Sequence, residues 1–506
     1  MLKSIKQFYN LYPLPVVMVV SLVVRMFSVI FSKGYGMHDD HFLIIEAAQS
    51  WVDGYDYNAW LPWTPGNKGP SGHSLFYVGL HFVFFKFLNS VGIINPQTKM
   101  FLVRLIHALF SLTVIYWGYK ISFYISKNIR FAINTAWMLG LYWFMPMLSV
   151  RNLVEVVCVP FLMCGTWLLV KNTSSKNGWL SFVAGLVSGL AFSVRFQTLF
   201  FLGGMGLSLL LLKQFKHAFY FGLGLVISMV IIQSIPDYFL WKRPFAELTE
   251  YVRYNLENAT TYFNKPWYMY VVLLLGVLIP PFSFFLIFGF FKEYKNQLLL
   301  FLPTFCFLVF HSYFPNKQER FIFPVIPFLI ILGYYGWELY RINSIFWQKN
   351  SGLYNRLLIF CLVINFIALP VVTTAYTKRS RVEAMVFLRK RGDVTGLIIE
   401  DSNHEYATLT PRFYLGKWKF PEYVITSTQT PAMLADFFIR DKSAVKPNYI
   451  LVYEEENLSK RLQEIKKYFP NISLVAKIDP GFLDVLLHKL NPRNKNAACY
   501  IYSIQF

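Results

Sequence analysis

Apolar residues in this chain come in long unbroken runs rather than in the short alternations of a water-soluble fold. The first, 13–31 (PLPVVMVVSLVVRMFSVIF), is long enough at ~1.5 Å rise per residue to cross a hydrocarbon core. Runs of comparable length recur at 74–93, 101–118, 131–149, 153–171, 179–194, 197–212, 217–235, 269–291, 297–312, 321–340 and 355–374. The pattern predicts roughly twelve membrane helices, within a range of about 11–13. The first run carries Arg25, and no small-residue cleavage site follows it, so it reads as a retained anchor rather than a removed signal.

Two polar regions interrupt the runs. In the first, 33–72, the stretch 42–51 has helical apolar spacing and aromatic edges, which predicts a helix lying in the membrane interface. It continues through Trp51, Trp60 and Trp63 into turns rich in Pro and Gly. The second region runs from Thr377 to the end. It alternates β-type runs (396–400, 423–427, 449–453, 474–478, 500–504) with helical patterns (381–390, 458–468), which predicts a small water-exposed α/β domain. The expected organisation is therefore a polytopic α-helical membrane domain, 1–376, followed by a C-terminal α/β domain, 377–506.

Composition agrees with this: 55% of the 506 residues are hydrophobic, 19% aromatic and only 15% charged. A net charge of +21 would suggest nucleic acid in a soluble protein. Here the basic residues are spread over short loops and no groove-reading motif accompanies them. Membrane lipids and phosphate-bearing substrates are the expected partners, and nucleic acid is not. Lys3 and Lys6 place the N-terminus in the cytoplasm by the positive-inside rule, which puts the loop after the first span on the non-cytoplasmic face. Cys158, Cys164, Cys306, Cys361 and Cys499 lack metal-ligand spacing and read as small core residues.

That first outer loop opens with Asp39 and Asp40, flanked by His38 and His41. Carboxylates at the end of a membrane span are costly unless they pair or work. Adjacent carboxylates repel, which favours one of them accepting a proton while the other orients it. Cations border other spans. Arg151 and Glu155 are four apart, Arg195 precedes Phe196, Gln197 and Thr198, and Lys317 and Arg320 follow Pro315. Together these residue types compose a site with cations for a lipid-linked phosphate and an anion to deprotonate a hydroxyl.

The same residues resemble the GT-C polyprenyl-phosphate-sugar-dependent glycosyltransferases, most closely glycosyltransferase family 22, the mannosyltransferases of glycolipid anchors and lipid-linked oligosaccharides. Asp39, Asp40, His41, Phe42 and Glu46 resemble that family's Asp-Glu-aromatic signature with its trailing Glu, Asp40 standing where Glu is usual. Arg151, Asn152 and Glu155 resemble its Arg…Asn…Glu segment, and Arg195, Gln197 and Thr198 its Arg-Pro-Thr. Tyr251, Tyr254, Asn255 and Asn258, followed by Pro266, Trp267, Tyr268 and Tyr270, are similar to its aromatic Tyr/Asn block. Ser312, Asn316, Lys317, Gln318, Arg320, Phe321, Pro324 and Pro327 are similar to its last motif, with Asn316 replacing His and Gln318 replacing Glu.

The resemblance implies a GT-C fold and an inverting transfer of mannose or another hexose from a polyprenyl-phosphate-linked donor to a lipid-linked or cell-envelope glycan acceptor. Asp39 would be the general base and Asp40 its partner. Glu46, Arg151, Glu155, Arg195, Lys317, Arg320, Trp267 and Tyr268 would bind substrates. No cofactor is required; His38 and His41 are ligand types, so a divalent metal is the one candidate, but adjacent residues seldom converge on one ion. In the C-terminal region His404, Tyr406, Arg412, Phe413 and Tyr414 suit sugar stacking. The Lys-, Ile- and Phe-rich composition favours a bacterial inner membrane with the site facing outwards. The alternative, a lipid or glycan transporter or flippase, should show repeated halves, and no such repeat is visible.

Overall fold

A computed structural model describes residues 9–173, 175, 177–491 and 497–506; Lys3 and Lys6, on which the N-terminal orientation rests, lie outside them. Among the described residues six helices are long and apolar enough to cross a membrane: Pro13–Phe31, Pro96–Ser126, Val154–Asn172, Phe215–Trp241, Glu319–Asn343 and Ser351–Thr373. Shorter apolar helices, Leu75–Ser90, Trp179–Val194, Thr198–Leu211, Phe282–Lys292 and Leu298–Tyr313, fall in five of the six remaining expected runs. The fold is polytopic and helical, with a small C-terminal sheet domain.

Two expected spans are broken. The run 269–291 forms Met269–Val277 and Phe282–Lys292, because Pro280 and Pro281 supply no N–H to continue the ladder. The run 131–149 stops at Leu141 and resumes only as Met145–Leu148. Backbone groups freed in an apolar surrounding must find partners, and here side chains provide them. Asn365 accepts from Trp143 N at 2.9 Å and donates to Leu141 O at 3.0 Å. The two breaks also meet: Tyr142 Oη donates to Leu278 O at 2.5 Å and Trp143 Nε1 to Val277 O at 2.9 Å. Arg25, inside the first span, is tied down in the same way by Ser111 Oγ and Gly140 O, both at 2.9 Å.

The chain divides into two compact units. The larger gathers the residues up to Val29 with Ala59–Leu80 and Leu102–Thr373. The smaller gathers Ile30–Asn58, His81–Phe101 and Thr374–Phe506. The sequence division at 376/377 falls beside the start of the last segment, but the small unit also takes in the acidic motif within Ile30–Asn58 and the segment 81–101. The stretch 42–51 is corrected too. It forms a π-turn, Phe42–Glu46, and a helix, Ala47–Val52, whose apolar and polar residues are both buried rather than laid in an interface. Polar contacts hold it there, including Lys99 Nζ donating to Gln49 Oε1 at 2.7 Å.

The small unit is built on a mixed sheet of five strands: β1 (Leu397–Asp401), β2 (Glu422–Thr426), β3 (Tyr449–Tyr453), β4 (Asn471–Ile478) and β5 (Cys499–Gln505), in the order β2-β1-β3-β5-β4. β1 is parallel to both its neighbours, whereas β5 is antiparallel to β3 and β4. Ile398, Ile450 and Val452 of the central strands pack with Leu434 and Phe438 of helix Pro431–Arg440 and Ile465 of helix Leu458–Tyr468. The sequence reading missed helices Pro431–Arg440 and Phe482–Leu490. At the carboxyl ends of β1 and β3, Arg461 is buried against the Glu400 carboxylate and donates to Tyr453 O at 2.8 Å and Glu456 O at 3.0 Å. Arg461→Ala leaves Glu400 as an uncompensated buried charge, at a cost of about 3–5 kcal/mol. Urea-dependent proteolysis of the full-length protein should show earlier cleavage within 374–506; an unchanged midpoint would contradict this.

Candidate active site

The small unit holds the acidic motif. Beyond the first span the chain turns through Gly34, at φ +77°, so close to Thr377 that an added Cβ would sit 1.9 Å from its carbonyl oxygen. Only glycine fits there. Thr377 answers with Oγ1 donating to Tyr35 O at 2.8 Å. The short helix His38–His41 follows and widens into the π-turn, a local under-winding that re-aims side chains.

The two aspartates are placed differently. Asp40 is 1% exposed and accepts from Gly36 N at 3.1 Å and Met37 N at 2.9 Å, so its carboxylate closes the turn in front of the helix. Asp39 is only half-buried. His41 is sandwiched between Tyr35 (4.6 Å between centroids) and Tyr414 (5.4 Å), with Nε2 3.3 Å from Glu46 Oε1. That oxygen also accepts from Phe413 N at 3.1 Å. Burial pushes the Tyr35 hydroxyl up to about 12, so the ring facing His41 stays neutral. Glu46 is fully buried in these contacts, a position that holds the motif to the segment around residue 413.

The same contacts revise the expected sugar-stacking stretch. Phe413 and Tyr414 are buried, and Arg412 is paired with Glu422 at 3.0 Å. Tyr406 is 76% exposed. His38, Asp39, Asp40 and His41 do not converge as a ligand set, since Asp40 is bound to amides and His41 to Glu46. Asp401, His404 and Glu454 do bring one ligand-type atom each within 4.8 Å of one another. The two ring nitrogens of His404 face different carboxylates there, Asp401 Oδ1 at 3.6 Å and Glu454 Oε1 at 3.3 Å.

The larger unit holds the cations. Glu155, in the first turn of its helix, lies 3.0 Å from Arg195 Nη1 and 3.6 Å from Arg320 Nε. Arg195 follows helix Trp179–Val194 in extended conformation, and Arg320 sits in the 3₁₀ turn Glu319–Val325. Gln197 accepts from Arg195 Nε at 2.7 Å and Gln318 from Arg320 Nε at 3.0 Å. Both guanidinium groups lie against the Phe321 ring, 5.4 and 5.7 Å from its centroid. Two guanidinium groups and one carboxylate leave the buried cluster positive. Neither Nη of Arg195 makes a directed hydrogen bond among the described residues.

Lys317 is also buried and donates to Phe314 O at 2.5 Å; desolvation lowers its ammonium from the ordinary lysine value. Its backbone is held by Phe263 O at 3.2 Å, and Tyr270 Oη donates to Gln318 O at 3.1 Å, which joins the aromatic block to the last motif. Trp267 and Tyr268 stand exposed, 68% and 50%, edge to face at 5.8 Å. Arg151 and Asn152 are buried in the turn ahead of helix Val154–Val157, so Arg151 does not share a helix with Glu155 as its spacing had suggested. Sequence reading overlooked Lys378 and Arg381, whose position at the start of the first helix after the last span was the available signal.

GPI mannosyltransferase 3 of Saccharomyces cerevisiae is 28% identical over 176 residues, 32% of this chain and 28% of the relative. GPI alpha-1,2-mannosyltransferase 3 of Danio rerio is 24% identical over 340 residues, 65% and 60% of the two chains. The chain thus spans three fifths or less of the length of these relatives. A crystal structure of ArnT from Cupriavidus metallidurans bound to undecaprenyl phosphate superposes with a TM-score of 0.56 at 12% identity, covering 96% of this chain and 97% of that one, a likeness of fold. Residues 16–395 match the family model itself, and the chain belongs to the Alg9-like mannosyltransferase family.

Proposed function

We propose that the protein is a membrane mannosyltransferase that moves mannose, with inversion, from a polyprenyl-phosphate donor to a lipid-linked or cell-envelope glycan. We place the reaction on the non-cytoplasmic face of a bacterial inner membrane. The observation that carries this reading is Arg195: a buried guanidinium, ion-paired with Glu155 and steered by Gln197, whose terminal nitrogens make no directed hydrogen bond among the described residues. Such donors suit the oxygens of a phosphate ester. The mannosyltransferase names of the relatives and the undecaprenyl phosphate bound to ArnT support the same chemistry.

In this reading Asp39 takes the proton of an acceptor hydroxyl as its oxygen attacks the anomeric carbon, and the bond from that carbon to the phosphate oxygen breaks on the opposite face. The electron pair leaves with the phosphate, whose charge is countered by Arg195 and Arg320, with Arg151 and Lys317 adding positive potential. Glu155 sets the two guanidinium groups. Asp40 does not react; it fixes the turn that presents Asp39. Trp267 and Tyr268 offer exposed aromatic surface to the sugar or the prenyl chain. Phosphate is a competent leaving group once countered by fixed cations, so neither a nucleotide nor a metal has a necessary part.

Asp39→Asn, assayed in membranes supplied with mannosyl-phosphoryl polyprenol and the native lipid fraction, should lower transfer by about 10²–10⁴-fold at unchanged expression. Undiminished transfer would remove Asp39 from the mechanism. Asp40→Ala should destabilise the protein by about 1–3 kcal/mol through the orphaned Gly36 and Met37 amides. Asp40→Asn keeps one carbonyl oxygen and should cost less; equal costs in thermal unfolding would contradict the turn-closing role.

A further inference from the structure

The small unit contains a cavity of about 260 Å³ that begins at the residue preceding Asp39. Tyr35, His38 and Phe42 of the acidic motif form one side, Lys378 and Arg381 another, and the loop after β1, including Tyr406, a third. The volume lies just below the ~300–1,000 Å³ of drug-sized pockets, room for about one sugar ring and a charged substituent. Its chemistry is uneven. It has two cations and no carboxylate among its described lining residues, with Lys378 Nζ 4.5 Å from the Tyr35 centroid. Its rings are ready as sugar platforms: His38 stacks on Phe42 at 4.6 Å, and Tyr406 is exposed.

The loop that closes the cavity leaves the carboxyl end of β1, whose connection leads to β2 on one side, whereas that of the adjacent parallel strand β3 leads to β4 on the other. Open α/β sheets bind ligands at such reversal points. The loop is fastened there, with Asp401 Oδ2 accepting from both Thr408 N and Thr408 Oγ1 at 2.9 Å. We propose that this cavity is an acceptor subsite whose Lys378 and Arg381 hold an oxyanion, phosphate or carboxylate, carried on the acceptor saccharide. The acceptor is then an acidic glycan or glycolipid.

The assignment to acceptor rather than donor rests on the proposed role of Asp39. An inverting displacement puts base and leaving group on opposite faces of the anomeric carbon, so cations grouped beside the base serve the molecule that supplies the hydroxyl. The donor phosphate has its own cations in the larger unit. Charge-assisted contacts to one oxyanion discriminate by about tenfold or more against a neutral analogue.

The test is titration of mannose, mannose 6-phosphate and mannuronate into the full-length protein in zwitterionic nanodiscs. At least one of the two anionic sugars should bind about tenfold or more tightly than mannose, and whichever does so names the oxyanion. Lys378→Gln with Arg381→Gln should abolish that preference at unchanged thermal unfolding, and Arg381→Lys, which keeps the charge, should retain part of it. Equal binding of all three sugars, a preference that survives loss of both charges, or competitive displacement by undecaprenyl phosphate would each overturn the proposal. Binding reads the subsite without turnover, whereas Asp39→Asn reads the reaction, so failure of one is distinguishable from failure of the other.

Discussion

A charged or strongly polar group withdrawn from water has to be met by opposite charge or by oriented N–H and C=O groups, and this condition organises both units of the protein. In the larger unit it produces the Arg195–Glu155–Arg320 cluster and the fastening of Arg25 to Ser111 and Gly140. In the smaller unit it produces the amide grip on Asp40, the His41–Glu46–Phe413 chain and the Glu400–Arg461 pair. Apolar burial on this scale would be satisfied by many helix arrangements. The polar contacts are selective, because each demands a particular partner at about 3 Å.

The same condition separates positioning from reacting groups. Of two adjacent aspartates, one is buried and bound to two amides and the other is half-buried. Of the residues assigned to substrate, Glu46 has Oε1 engaged with His41 and a backbone amide, and Arg195 is ion-paired with Glu155 while its terminal nitrogens make no directed hydrogen bond among the described residues. Groups held by backbone amides and ion pairs set where their neighbours point.

Much of this was legible in the sequence. Length and apolarity marked the spans, and β-branched and aromatic runs marked the five strands, because both signals are local. What escaped was nonlocal or cryptic. The break in 131–149 depends on Asn365, more than two hundred residues away, to satisfy Trp143 N and Leu141 O. Glu46 looked like a substrate ligand because its partner Phe413 lies 367 residues on. Phe413 and Tyr414 looked like a sugar platform because polarity of neighbours says nothing about which ring faces the core. Helix Pro431–Arg440 carried a readable start, Thr430 with Pro431 at the first turn, where Thr430 caps Met433 N.

In the proposed reaction a lipid-linked sugar phosphate is the donor, and buried guanidinium groups rather than a nucleotide site receive the leaving group. The most direct measurement is turnover by the purified protein in lipid, comparing mannosyl-phosphoryl undecaprenol with GDP-mannose over the native glycolipid fraction. The account predicts transfer from the lipid donor and none from the nucleotide sugar. Transfer from GDP-mannose, with the lipid donor inert, would contradict it.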